Sequence, residues 1–220
     1  MAETTPASAG SPFWRFSLRL YRQPGVAEAC ITLQEESGAD VNLLLFLLWH
    51  GVQQRRVSAA EVARLDQKIA AWRERAVIPL RAIRRALKSP QGLVEAGTAE
   101  AFRTRIKAVE LEAERLQQEA MYELVRVSLL GEPAPSVAEA ARANVAAYEG
   151  ICRAAFAKPA VAAVLAALPR QKGPSEGCTR ANPHSLRTAR AAPRYRWEAD
   201  RWNSITSRYQ GVGHFFAPWS

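Results

Sequence analysis

Histidine and cysteine are scarce in this chain, three of each among 220 residues. The histidines stand at positions 50, 184 and 214, and the cysteines at 30, 152 and 178. No histidine lies at metal-ligand spacing from a cysteine, which argues against a zinc site. The odd, widely spaced cysteines argue against a disulfide framework; reduced and mostly buried thiols are the expectation. There is no phosphate-cradling glycine loop, no nucleophile elbow, and no carboxylate pair at i, i+4 beside a histidine. No catalytic residue, metal ligand or cofactor is therefore predicted, and the reading leans away from an enzyme.

Long apolar runs are also missing. The two most apolar stretches, 41–49 and 160–168, have nine residues each, well short of the roughly 20 that cross a bilayer. The start, MAETTPASAGSP, holds an acidic residue and neither lysine nor arginine, unlike a signal peptide. The expectation is a cytoplasmic protein without a transmembrane segment, its residues 1–11 a disordered N-terminus.

What the chain has in excess is positive charge, +9 overall. Its distribution matters more than its size: residues 1–168 carry +3 and residues 169–220 carry +6. The pI near 10 thus belongs to the tail, and nucleic-acid binding is not indicated for 1–168 but stays open for the tail.

Helical signals follow one another along residues 12–168, and strand signals are few. Pro12 to Tyr21 reads as a helix ended by Gln23-Pro24-Gly25. Val26 to Glu36 reads as a second, closed by Ser37-Gly38. A third is capped by Asp40 and runs to about Gln54. It is apolar from Val41 to Trp49 apart from Asn42, so other helices must surround it. Ser58 and Glu61 form a capping box that opens a fourth helix. Its expected seam is Val62, Leu65, Ile69, Trp72, Ala76, Leu80, Ile83 and Leu87, with a kink at Pro79. A fifth, capped by Thr98, is expected to bury Phe102, Ile106, Val109, Ala113, Leu116, Ala120, Leu124 and Val127.

The short loop between these two predicts an antiparallel hairpin. Arg73, Arg75, Arg81, Arg84, Arg85 and Lys88 then lie along Glu100, Glu110, Glu112, Glu114 and Glu119. A second capping box, Ser136 and Glu139, opens a sixth helix with Val137, Ala141, Val145, Tyr148, Ile151, Cys152 and Phe156 inward. Pro159 breaks it before a short apolar segment. The fold class predicted is all-α, a bundle of about six helices. From 169 onward the periodicity ends, and three readings of the tail stay open: a basic arm meeting nucleic acid or a membrane surface, an ordered cap, or out-of-frame translation.

Residues 13–51 hold a dense pattern of Phe13, Trp14, Phe16, Ser17, Leu18, Tyr21, Val26, Cys30, Leu33, Gln34, Gly38, Asp40, Val41, Asn42, Leu44, Leu45 and Trp49. This pattern resembles the signature of a bacterial family catalogued as domain of unknown function 2390. The resemblance implies an all-helical bacterial protein of unassigned activity.

The polar and aromatic residues of this stretch supply the candidate ligand or partner contacts: Trp14, Gln34, Asn42, Phe46, Trp49 and His50. Asn42 is expected to bond the backbone of a neighbouring turn. His50 is expected to be an exposed or capping residue, protonated at a helix C-terminus. Two functional classes follow. The leading one is a non-catalytic adaptor or accessory protein whose groove lies between the N-terminal stretch and the hairpin, and whose partner is another protein or a second copy. The other is a bundle binding a small apolar ligand, or acting on one, in a cavity lined by Trp14, Phe46 and Trp49.

Overall fold

In the computed structural model the described residues are 10–89, 94–127 and 129–169; the tail readings fall outside them. The chain is all-α, with a bridge of two residues per strand as the sheet among the described residues. Helix α1 (Pro12–Tyr21) starts on Ser11, whose Oγ accepts from Trp14 N at 3.0 Å. Helix α2 (Val26–Ser37) closes on Gly38, a left-handed residue at φ 70°. The Gly38 amide then donates to the Gln34 carbonyl and the Ala39 amide to that of Leu33, a pairing glycine permits at little steric cost.

Asp40 caps α3 (Val41–Val52) by accepting from Leu43 N at 3.1 Å. Every residue of α3 from Asn42 to Gly51 is buried, as its lack of a polar face requires. Helix α7 (Val137–Glu149) runs along it, and α1 flanks it. The α3–α7 approach depends on small residues: a Cβ on Gly51 would stand 2.9 Å from Ala141 Cα.

The Ser58–Glu61 capping box opens α4 (Ala59–Trp72) as expected. A π turn, Arg73–Val77, then leads into α5 (Ile78–Ala86), so the departure from α geometry begins ahead of Pro79. A proline ring clashes with the carbonyl four residues before it, here that of Arg75, which lies inside the π turn.

The π turn also widens the seam. It holds one residue more than an α turn, so Val77 is buried beside the half-buried Ala76. Beyond it Arg81 and Arg84 share the inward side with Leu80 and Leu87, all half-buried, while Ile83 is exposed. Helix α6 (Ala96–Val125) answers in kind, burying Glu110, Ala113 and Gln117. Arg81 Nε reaches Glu110 Oε1 at 3.1 Å, Arg81 Nη2 reaches Glu114 Oε1 at 2.7 Å, and Arg84 pairs with Glu110. Of the charge pairing expected along the hairpin, Arg81 and Arg84 meet Glu110 and Glu114. Arg73 and Arg85 pair instead with Asp66 and Glu35, and Glu100 and Glu112 with Arg103 and Arg115 of their own helix. Ile83, Phe102, Val109 and Val127 are exposed and not inward as expected.

Other corrections are local. The α6 cap is Glu95, whose carboxylate accepts from Gly97 N at 2.8 Å and Thr98 N at 2.9 Å; the Thr98 hydroxyl donates to the same carboxylate. Of the second capping box the serine half is present, Ser136 Oγ accepting from Glu139 N. Helix α7 stops at Gly150, so Ile151 is exposed and Cys152 half-buried, while Phe156 remains buried. Pro159 starts a new helix, α8 (Lys158–Ala166), against α2. The bridge joins β1 (Arg55–Arg56) to β2 (Glu132–Pro133) antiparallel, tying the loop before α4 to the loop before α7. Only glycine fits at Gly131, where φ is 75° and an added Cβ would collide with the Arg56 carbonyl.

Candidate functional site

The candidates on α1 and α3 fall into two groups. Phe46, Trp49 and His50 join Phe13 and Tyr122 in one aromatic cluster, packed ring on ring. Phe13 meets Phe46 edge-on at 5.0 Å, Phe46 stacks on Trp49 at 6.0 Å, and Tyr122 meets Trp49 at 5.9 Å. Trp14 is buried beside Gly10 on the same helix as Phe13. These rings fill the space between α1, α3 and α6.

His50 belongs to this cluster, and its expected exposure and charge are overturned. It is fully buried, edge-on to Phe46 at 4.6 Å and to Trp49 at 5.1 Å. Its Nδ1 donates to the Phe46 carbonyl at 3.0 Å, which leaves Nε2 to accept from Leu130 N at 3.4 Å. Burial pushes its pKa down to about 4, overriding the helix C-terminus, and the nearby Arg55 adds to the effect. The ring is neutral at pH 7, with both nitrogens occupied.

Asn42 bonds a side chain and not the expected backbone: its Oδ1 accepts from Gln118 Nε2 at 2.7 Å. Next to it, Asp40 does far more than cap α3. Its Oδ2 accepts from Gln117 Nε2 at 2.9 Å and faces Arg73 Nη1 at 3.5 Å, and its backbone N donates to the Tyr148 hydroxyl at 2.6 Å. Arg73 in turn holds Asp66 at 2.5 Å. Burial alone would weaken the hold of Arg73 on its proton, but Asp66 and Asp40 more than offset it. Gln34 is half-buried on α2 and takes no part in this seam.

The seam links α3, α4, the π turn, α6 and α7, and sequence reading found Asp40 and Asn42 of it. The π turn that carries Arg73 is a rare geometry that often marks a functional position. Within the seam, Gln117 Oε1 and Gln118 Oε1 are buried acceptors that no described residue pairs with.

A second polar centre, Asn144 on α7, also escaped notice. It is fully buried and makes three backbone bonds: Oδ1 accepts from Val57 N at 2.7 Å, and Nδ2 donates to the Leu47 and Arg55 carbonyls at 2.9 Å each.

The described thiols are held protonated. Burial pushes the Cys30 thiol up to about 12 and that of Cys152 to about 11. Burial likewise raises the phenols of Tyr21 and Tyr148. Among the described residues no group of three or more histidines, cysteines or acids stands close enough to hold a metal ion. None of their helices is long and apolar enough to cross a membrane.

The family model described as "Protein of unknown function (DUF2390)" matches residues 12–121, half of the chain. The chain belongs to this family. The match takes in α1 through most of α6, and with them the aromatic cluster apart from Tyr122 and the seam from Asp40 to Gln118. Tyr122, Asn144 and Tyr148 lie beyond it. No curated protein and no solved structure matches the chain.

Proposed function

We propose that this DUF2390 protein is a non-catalytic binding protein, an adaptor or accessory subunit, whose working part is residues 12–168. The observation that carries this reading is the outer face of the α5–α6 hairpin. Ile83 is 44% exposed, Phe102 43% and Val109 52%. Phe102 and Val109 stand seven residues apart, one above the other on α6. Apolar side chains in a row on an exposed helix face mark a surface that another chain covers. The groove expected between the N-terminal stretch and the hairpin is closed by Ser11–Glu119, Asn42–Gln118 and Asp40–Gln117 contacts, so binding is assigned to the outer face.

The chemistry of the interior supports the same reading. The buried charges of the seam are neutralised by one another, and its thiols and phenols are protonated. The basic run on α5 is engaged by Glu110, Glu114 and Glu35, which weighs against nucleic acid as the partner of residues 12–168. Free cysteines, one buried and one half-buried, suit the reducing cytoplasm.

A second reading has one observation of its own. A cleft of about 570 Å³ between α7 and α8 is lined by Phe156, Val161 and Leu165 with Arg142, Glu149 and Lys158 around them. That lining suits a small apolar molecule with a charged end, although Trp14, Phe46 and Trp49 are elsewhere.

Capture from the native cell with the full chain as bait separates the two. Binding through the hairpin predicts that wild type retains a protein or its own copy and that Val109→Arg loses it. A chain that retains no protein but carries a small molecule, released on denaturation and detected by mass spectrometry, overturns the adaptor reading.

A further inference from the structure

Taking the outer hairpin face as the binding surface, we infer that its occupant is a second copy of this chain, joined by an antiparallel contact of α6 with α6 centred on Val109. The argument is one of symmetry. Phe102, Val109 and Leu116 are spaced by seven and so share one face of α6, Phe102 and Val109 exposed and Leu116 half-buried. A two-fold axis through Val109 sets each residue opposite the one equally far on its other side. The two Val109 side chains then meet at the axis, and Phe102 packs over Leu116 of the second copy.

The charges beside this row obey the same axis. Arg105 and Glu112 are also seven apart and occupy the same flank of the helix, and in an antiparallel helix pair like flanks face each other. The axis sets Arg105 opposite Ala113, one residue from Glu112, so Arg105 of each copy comes within a residue of Glu112 of the other, twice over, a step a long side chain spans. Arg105 is exposed, lies over the Phe102 ring at 5.4 Å, and has no carboxylate partner among the described residues. The Glu112 side chain is 46% exposed while it holds Arg115 at 2.6 Å, so its carboxylate can accept a second guanidinium. A foreign partner of one charge sign would satisfy one of these groups and repel the other; a second copy satisfies both. Arg85 on α5 is engaged with Glu35 of α2 and so is not called on by this contact.

Sedimentation equilibrium of the full-length chain tests this. The mass is expected to rise to twice that of one chain with concentration, and Val109→Arg to stay at one chain's mass with an unchanged far-ultraviolet circular dichroism spectrum. Arg105→Glu and Glu112→Arg should each weaken association by roughly tenfold, since each introduces two like-charge contacts, and the double variant should restore it to within about threefold. Wild type at one chain's mass at every attainable concentration overturns the second copy as occupant. A dimer that survives Val109→Arg, or a double variant no better than the singles, overturns this axis. The adaptor reading fails separately, by the capture experiment, when a monomeric wild type also retains no other protein.

Discussion

Phe46 and Phe102 are the same residue type on two helices of one bundle, and their surroundings are opposite. Phe46 is fully buried, touched by Phe13, Trp49 and His50. Phe102 is exposed and has an arginine over its ring. The difference extends to the polar groups. Around α3 the buried donors and acceptors of Asn144, His50 and Asp40 are bound by groups of the same chain. In the outer part of the hairpin, α5 buries no residue at all, and α5 and α6 face each other through ion pairs. One region spends its apolar surface on its own fold; the other leaves it facing outward, where it is of use only to another chain.

The largest test of this contrast is truncation of the two phenylalanines. Phe46→Ala should lower unfolding free energy by about 3–5 kcal/mol through lost burial and a cavity, and Phe102→Ala by less than about 0.5 kcal/mol, both read from urea denaturation of dilute protein. Comparable losses would mean that the hairpin is part of the core. Next, Asn144→Ala should cost about 3 kcal/mol, because three backbone groups lose a buried partner; near-neutral behaviour would show that water reaches them.

A pH series sharpens the comparison further. The pKa of His50 is lowered from 6.5 to about 4 in the fold, so between those values the unfolded chain binds the extra proton and stability rises with pH. The contribution is complete above pH 6.5 and is lost as pH falls toward 4, in total about 3 kcal/mol. Arg55 strengthens this response and Glu61 weakens it; His50→Gln should flatten the slope. A wild-type stability that does not change across this range would mean that water or an acid reaches the ring. The smallest effect expected is that of Arg85→Ala. Its pair with Glu35 is half exposed on both sides, so the loss should stay under about 0.5 kcal/mol and fade with salt.

What could be read from the sequence was what depends on near neighbours. Gly38, Asp40 and the Ser58–Glu61 box act over three or four residues, and each performs the role its spacing implies. The hairpin, and within it the pairing of Arg81 and Arg84 with Glu110 and Glu114, was legible for a similar reason, because a short connection leaves two long helices one way to lie. The phase of the seam was not. Residues 102, 106, 109 and 113 make as regular a stripe as 103, 106, 110 and 113, and the choice between them is made by Arg81 and Arg84 on the other helix. His50 misled because a helix dipole can be read from one helix, whereas the Leu130 amide that occupies Nε2 comes from 80 residues away. The partners of Asp40 are as remote: Arg73 is 33 residues off, Gln117 77 and Tyr148 108. A cap could be inferred there, and a five-helix junction could not.

The π turn at Arg73–Val77 makes this hairpin unusual in its tolerance of a change in length. An extra residue held in a bulge leaves the helices on either side in nearly the phase they would have without it. Deleting Ala76 should therefore convert the bulge into an ordinary turn and leave Arg81 and Arg84 still aimed at Glu110. Deleting Ala82, with no slack to take up, would swing the rest of α5 by about 100° and carry Arg84 away from its partner. The helix contains a spare link, and its position ahead of Pro79 is where the chain can afford to lose one.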